Sequence, residues 1–196
     1  MSTSSILDTL RNSEIMVINP PGDVSDSLVL KLIHIGCSVR HFWPPPKRFD
    51  RPIDLVFTGI FQNYYHEQIS GLIATSEMRI TVVALVEYES PAILSQIIEL
   101  SCHGVIVQPL GRHMVLPVLV SARRNSEEIA RLKQKNTLLL ERLGNLADIN
   151  QAKLLLMTEH GWVEEQAHSF LSREAMKCRK TILAIAREIV KRHMPD

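Results

Sequence analysis

Six polar side chains in the last quarter of the chain have the chemistry needed to contact a nucleic acid. They are one amide and five cations: Gln151, Lys153, Arg173, Lys177, Arg179 and Lys180. Lys and Arg neutralise phosphates and hydrogen-bond base edges, Arg can stack on an unpaired base, and an amide can hydrogen-bond a loop base. Any one of these residues could equally lie on a solvated helix face, so the prediction of a nucleic-acid contact depends on the group. Trp162 and Phe170 are interpreted as packing residues, not as a stacking surface.

The distribution of charge points to the same end of the chain. Residues 1–120 carry 8 Lys and Arg against 11 Asp and Glu, whereas residues 121–148 carry 6 against 4 and residues 149–196 carry 8 against 6. The basic excess therefore lies in the last two segments, where a polyanion would be met.

Three short helices must position these cations. The first runs to the helix-ending Gly161, and the second begins near Val163. The second helix has one apolar face, and the third has the spacing of an amphipathic helix. These faces are formed by Val163, Ala167, Phe170 and Leu171, and by Ile182, Ile185, Ala186, Ile189 and Val190. The pattern predicts an all-α three-helix bundle over residues 149–196.

A heptad repeat precedes the bundle, over residues 121–148. Its a and d positions are Ile129, Leu132, Asn136, Leu139, Leu143 and Leu146. A single Asn at an a position favours a parallel, in-register dimer because it pairs best with its own copy. The sequence therefore predicts a dimeric coiled coil. The alternative is a long helix that folds against its own domain.

Five apolar runs of strand length occur in the first 120 residues. They cover residues 15–19, 37–42, 54–60, 80–86 and 104–109. They are continuous, as in parallel strands covered on both faces, and helical segments separate them except over the Pro-rich residues 43–52. This order predicts a doubly wound α/β domain of the flavodoxin-like type.

The first domain resembles a response-regulator receiver that has lost its phosphorylation chemistry. In that family, phosphoryl transfer uses acidic residues after the first strand, which hold a metal ion, and an Asp at the end of the third strand. It also uses a Thr or Ser at the end of the fourth strand and a Lys after the fifth strand. The corresponding positions here are Asn19, Gly59, Val86 and Gln108. The resemblance therefore implies a pseudo-receiver kept for protein contacts. An alignment shifted towards Asp54 or Asp23 as the acceptor is the alternative, although Asp54 opens its strand and not the carboxyl end where such sites lie.

The last domain resembles the ANTAR family of RNA-binding transcription antitermination regulators. The resemblance depends on Gln151-Ala152-Lys153, on the spacing of Leu171, Arg173 and Ala175, and on the basic cluster that follows. Leu154 departs from the family, where many members have Gly. Together with the pseudo-receiver, the resemblance implies a homodimeric positive regulator of an amidase operon that binds stem-loops in leader RNA. It also implies control through sequestration by an amide-sensing protein related to solute-binding receptors, without phosphorylation.

Other functional classes find less support. Cys37, Cys102 and Cys178 lack the spacing of a disulfide framework or zinc site, and neither a signal peptide nor a membrane span is evident. We predict a cytoplasmic protein without metal or cofactor.

No phosphate-binding Gly loop, nucleophile elbow or HExxH motif indicates an enzyme. A scaffold that only dimerises partners is one alternative. A DNA-binding response regulator with a helix-turn-helix is another, although no Gly-containing turn separates the last two helices.

Overall fold

The computed structural model describes residues 10–61, 64–76, 79–111 and 113–193. The chain divides into two compact units, with the boundary between Ala130 and Arg131. Within the described residues, no helix combines the length and the apolar character needed to cross a membrane.

The first unit is built on a five-stranded, fully parallel sheet in the order β2-β1-β3-β4-β5. Its strands are β1 (Glu14–Ile18), β2 (Ser38–Phe42), β3 (Leu55–Gly59), β4 (Thr81–Val86) and β5 (Gly104–Val107). The strands β3 and β4 are buried at every residue. This order is flavodoxin-like and confirms the predicted fold of the domain.

Helices cover both faces of the sheet, which explains why the strand sequences are continuously apolar. The helices are α1 (Asp23–Ile35), α2 (Tyr64–Ala74), α3 (Pro91–Glu99) and the start of α4 (Val115–His160). Ile15 and Val17 pack in the cluster with Leu28 of α1 and Leu119 of α4. Met16 and Ile18 point to the other face, in the cluster with Ile69 and Leu72 of α2. No helix connects β2 to β3, as the Pro-rich sequence predicted.

Helix boundaries follow local sequence signals. The helix α1 ends at Gly36, whose φ of 98° lies in the left-handed region that glycine adopts without a steric penalty. The helix α3 begins after Ser90, whose Oγ accepts a hydrogen bond from the backbone N–H of Ile93 at 3.3 Å, and Pro91 occupies the first helical position.

The heptad repeat lies within α4, a continuous helix of 46 residues. Every residue from 131 to 144 is exposed, so this stretch does not pack against the described part of its own chain. Leu132, Leu139 and Leu143 are 52%, 56% and 63% exposed, respectively. The chain thus presents an apolar seam that a single copy leaves in water.

The second unit is a bundle of the last turns of α4 with α5 (Glu164–Cys178) and α6 (Ile182–His193). Its buried core is made by Ala152, Leu156, Ala167, Leu171, Ala175, Ile185, Ala186 and Ile189. The predicted three-helix bundle is confirmed. One predicted core residue differs: Val163 precedes the first turn of α5 in extended backbone and is 60% exposed.

The end of the heptad repeat has a structural cause in the second unit. Arg187 of α6 donates hydrogen bonds to Asp148 Oδ2 at 2.7 Å and Asn145 Oδ1 at 3.1 Å. From these residues onward α4 packs against α5 and α6, so its apolar stripe turns towards the bundle core.

Candidate nucleic-acid interface and degenerate receiver site

The exposed cations among the predicted RNA contacts lie on the second half of α5 and at its end. Arg173 and Lys177 are four residues apart and therefore share a helix face, and both are exposed. Lys177 has one weak partner, Glu174 Oε1 at 3.4 Å, and its side chain is 76% exposed. Arg179 follows the helix in a left-handed conformation, with φ 54° and ψ 39°, and is also exposed.

Two other predicted cations are engaged in ion pairs. Lys153 Nζ donates to Glu164 Oε1 at 2.7 Å, and its side chain is only 14% exposed. This hydrogen bond lowers the pKa of Glu164. Lys180 pairs with Glu188, and the hydrogen bond raises the pKa of Lys180. The ion pair between Lys153 and Glu164 holds the start of α5 against α4.

The predicted set is consequently divided between two ends of α5. Lys153 lies at the amino end of that helix, whereas Lys177, Arg179 and Lys180 lie at its carboxyl end, about 20 Å away at 1.5 Å rise per residue. Gln151 is half-buried on α4.

A cleft that the sequence did not reveal lies beside Arg173. It has a volume of about 400 Å³ and is lined by Trp162, Glu165, Gln166, Ser169 and Arg173. Trp162 contacts the rings of His160 and Phe170, with centroid distances of 4.4 and 5.3 Å. A half-buried ring, a guanidinium, an amide and a carboxylate around one open space can stack on an unpaired base and read its edge. The spacing of Gln166, Ser169 and Arg173, which places them on one face of α5, was the available sequence signal.

The last two helices are joined by a short turn. Three residues, 179–181, connect α5 to α6, and Arg179 takes the left-handed conformation that glycine usually supplies. The backbone N–H of Lys180 donates to Ala175 O at 2.9 Å, which closes the end of α5. The absence of glycine in this segment therefore does not remove the helix-turn-helix alternative.

The four positions predicted to correspond to a receiver's phosphorylation site line a single cavity in the first unit. Asn19, Gly59, Val86 and Gln108 all contribute to it, at the carboxyl ends of the strands, and its volume is about 510 Å³. A Cβ added at Gly59 would lie 2.5 Å from Phe61 Cζ and 2.5 Å from Asn19 Oδ1. The ring of Phe61 thus occupies the space where an acceptor side chain would begin.

The two alternative acceptors lie elsewhere or differ in geometry. Asp54 precedes β3 and therefore lies at the amino ends of the strands, whereas the cavity lies at their carboxyl ends. Its Oδ2 accepts a hydrogen bond from the backbone N–H of Glu14 at 2.9 Å. Asp23 lines the cavity, but it is the first residue of α1 and is exposed. Neither residue ends a strand.

Comparison with known proteins agrees with both units. The family model "AmiR, N-terminal" matches residues 13–123, and the model "ANTAR domain" matches residues 138–190. Fold and matches define the class: a regulator with a receiver-like α/β domain and an ANTAR output domain. Within that class, the chain belongs to the AmiR family.

Individual relatives give the same result. The chain is 64% identical over 190 residues to the aliphatic amidase regulator of Pseudomonas aeruginosa, with 97% of each chain covered. It is 27% identical over 124 residues to the transcriptional regulatory protein PdtaR of Mycobacterium tuberculosis, covering 61% of this chain and 60% of that one.

Solved structures resemble the chain in fold alone. Full-length FixJ from B. japonicum has a TM-score of 0.50 at 12% identity, covering 90% of this chain and 97% of that chain. NtrX from Brucella abortus has a TM-score of 0.52 at 16% identity, covering 72% of this chain and 34% of that chain.

Proposed function

We propose that this protein is a cytoplasmic positive regulator of an amidase operon that acts by RNA-binding transcription antitermination. Its relative in Pseudomonas aeruginosa is named an aliphatic amidase regulator, and its last domain belongs to the ANTAR class. The observation that carries the proposal is the exposed face of α5, where Arg173 lines a cleft of about 400 Å³ and Lys177 follows one helical turn later. No step in this function requires catalysis.

The ligand is a stem-loop in the leader RNA. Lys177, Arg179 and Lys180 neutralise loop phosphates, and one unpaired base enters the cleft between Trp162 and Arg173. Because Lys153 and Lys180 are ion-paired, they contribute less charge than the other three cations, and Lys153 acts mainly by setting the position of α5. Gln151 hydrogen-bonds a loop base. Binding holds the leader in a form that excludes a terminator hairpin.

The active species is a parallel homodimer. The exposed seam of α4 pairs with the same seam of a second copy, and Asn136 sets the register. We retain the division into residues 1–120, 121–148 and 149–196 for the pseudo-receiver, the coiled coil and the RNA-binding bundle.

Regulation occurs through protein contact. An amide-sensing protein related to solute-binding receptors sequesters the dimer, and an amide inducer weakens that complex. The shift requires only that the sensor bind this chain differently in its two states. The chemistry of the cavity supports this route, since Gly59 and Gln108 provide neither nucleophile nor cation.

The test is binding of the full chain to its operon leader RNA, with scrambled RNA and duplex DNA as competitors, from about 50 to about 200 mM salt. Tight leader-selective binding is expected. Replacing Arg173 or Lys177 with Ala should each weaken binding and reduce the salt slope by about 1. The matched control is Arg124→Ala, an exposed arginine of the first unit. Equal binding of scrambled RNA, or equal losses in the control, would overturn the proposal.

A DNA-binding regulator with a helix-turn-helix output is the second candidate, favoured by the short turn at residues 179–181. The same competition separates the two functions. Preference for duplex DNA over leader RNA would establish the second candidate and exclude the first.

A further inference from the structure

The cavity at the degenerate phosphorylation site is placed where an open α/β sheet binds ligands. Strand order reverses between β1 and β3, and Asn19 and Gly59 lie at the carboxyl ends of these two strands. Ligands of doubly wound folds bind in the crevice at that switch point. The volume of about 510 Å³ falls in the range of small-molecule sites, about 300–1,000 Å³.

One wall of this cavity is aromatic. Trp43 packs against Phe61 and Tyr65 with both centroid distances at 4.9 Å, and Phe61 and Tyr65 are 6.2 Å apart. These rings come from the segments after β2 and β3 and from α2, and each is half-buried. Tyr88, which follows β4, adds a ring that is 59% exposed at the rim. Aromatic faces carry a negative quadrupole potential and attract cations.

The charged groups that line the cavity are carboxylates. Asp23 and Glu87 are both exposed, and no Lys or Arg belongs to its described lining. The amino ends of α1 and α3 also lie at the carboxyl ends of the strands. Their positive helix-dipole potential would by itself favour an anion. In α1 the acids Asp23 and Asp26 stand in the first turn and offset that potential. The charged side chains of the described lining are therefore acidic, which disfavours an anion such as phosphate.

A further acceptor faces the same space. Ser25 Oγ donates to Pro20 O at 2.6 Å, so it accepts from the Asn19 amide nitrogen, 2.9 Å away. This arrangement fixes the orientation of the Asn19 amide and leaves Oδ1 at the cavity, next to the backbone of Gly59. An oxygen acceptor near aromatic faces and two carboxylates matches a group that donates hydrogen bonds and carries positive charge.

We propose that this cavity binds a small organic cation with an apolar body, of the aryl- or alkylammonium class. The apolar body packs on Trp43, Phe61 and Tyr65, and the ammonium group faces Asn19 Oδ1 and Glu87. The site is distinct from the RNA-binding face, and the proposal stands independently of the antitermination function.

The test uses three probes of similar size and different charge: phenethylamine, phenethyl alcohol and hydrocinnamate. Binding to the full chain is measured by calorimetry, and by the fluorescence of Trp43 in a Trp162→Phe background, where it is the sole tryptophan. We expect the amine to bind at least about tenfold more tightly than the alcohol, and the anion not to bind.

Two variants locate the site. Glu87→Gln should weaken amine binding about three- to tenfold, whereas Glu89→Gln, an exposed carboxylate outside the cavity lining, should not change it. Trp43→Leu should abolish amine binding while far-ultraviolet circular dichroism stays that of the parent. Equal binding of all three probes, preference for the anion, no amine binding, or equal effects of Glu87→Gln and Glu89→Gln would overturn the proposal. Stronger binding of oligolysine than of phenethylamine would also overturn it, because a peptide side chain would then be the occupant.

Discussion

At the scale of single residues, Gly59 is fixed by its neighbours. A Cβ there would lie 2.5 Å from Phe61 Cζ, whereas a Cβ at Gly71 of α2 would meet nothing within 4 Å. Gly59→Ala should therefore reduce the free energy of unfolding by about 1–3 kcal/mol through overpacking. Gly71→Ala should be neutral or stabilise by up to about 1 kcal/mol, because alanine favours the helix. Urea unfolding monitored by circular dichroism measures both, and equal values would contradict the assigned contact.

Gly59→Asp extends that prediction to chemistry. The variant should not be labelled by a small-molecule phosphodonor, because the metal-holding acids and the lysine of a working receiver are replaced by Asn19 and Gln108. Labelling is detected by intact mass. Stoichiometric phosphorylation of this variant would refute the degenerate-site interpretation.

His193 gives the second unit a pH-dependent contact. Its Nδ1 lies 2.8 Å from Ile189 O and its Nε2 lies 2.9 Å from Glu159 Oε2, so only the protonated ring donates to both. The backbone hydrogen bond to Ile189, followed by the bond to Glu159, raises the pKa of His193. A raised folded-state pKa contributes stability that is fully present below the unfolded pKa of about 6.5 and is lost as pH rises through the folded value.

His193→Gln should therefore lower the thermal midpoint of the second unit more at about pH 5.5 than at about pH 8.5. Trp162 fluorescence reports on that unit. Glu159→Gln should reproduce the effect in part, and His168→Gln, an exposed histidine of α5, is the matched control. A deficit that grows with pH would reverse the sign and reject the assignment.

At the scale of elements, the exposed seam of α4 predicts how the chain associates. Leu139 occupies a d position, and the adjacent Leu138 does not, although the two are 56% and 49% exposed. Leu139→Lys should convert the dimer to a monomer because it places a charge in the seam, whereas Leu138→Lys should leave it dimeric. Sedimentation equilibrium distinguishes these results. Dissociation by both variants, or by neither, would place the interface elsewhere.

Most elements could be predicted from sequence because their signals are local. The apolar runs predicted the five strands, Gly161 predicted the end of α4, and the spacing from Ile182 to Val190 predicted the apolar face of α6. The cleft beside Arg173 could not be predicted in the same way, because it depends on how Trp162 packs against His160 and Phe170. The ring that fills the space at Gly59 also depends on tertiary packing, since Phe61 lies in a connection without a periodic pattern.

At the scale of the whole molecule, the homodimer and the RNA binding that we propose predict that its two bundles act together on a leader with two stem-loops. Linking two sites raises overall affinity by about 10²–10⁴-fold when both can engage. The seam variant Leu139→Lys should therefore lose affinity for a tandem stem-loop RNA, while its affinity for one isolated stem-loop stays close to that of the parent. Electrophoretic mobility-shift titrations with the two RNAs measure this difference. An equal loss on both RNAs would mean that the substitution damages the bundle itself.

The contact between Phe61 and Gly59 also constrains how this domain can change by mutation. An acceptor side chain at position 59 alone would enter space that the ring of Phe61 occupies. Removal of the Phe61 ring alone would enlarge the cavity without adding a nucleophile. We expect each single step to lower stability before it provides any chemistry, so that phosphoryl transfer would be disfavoured from either direction. The effect of each substitution thus depends on the other, which is epistasis. We therefore expect further mutation to change the contacts of this domain more readily than it provides phosphoryl transfer.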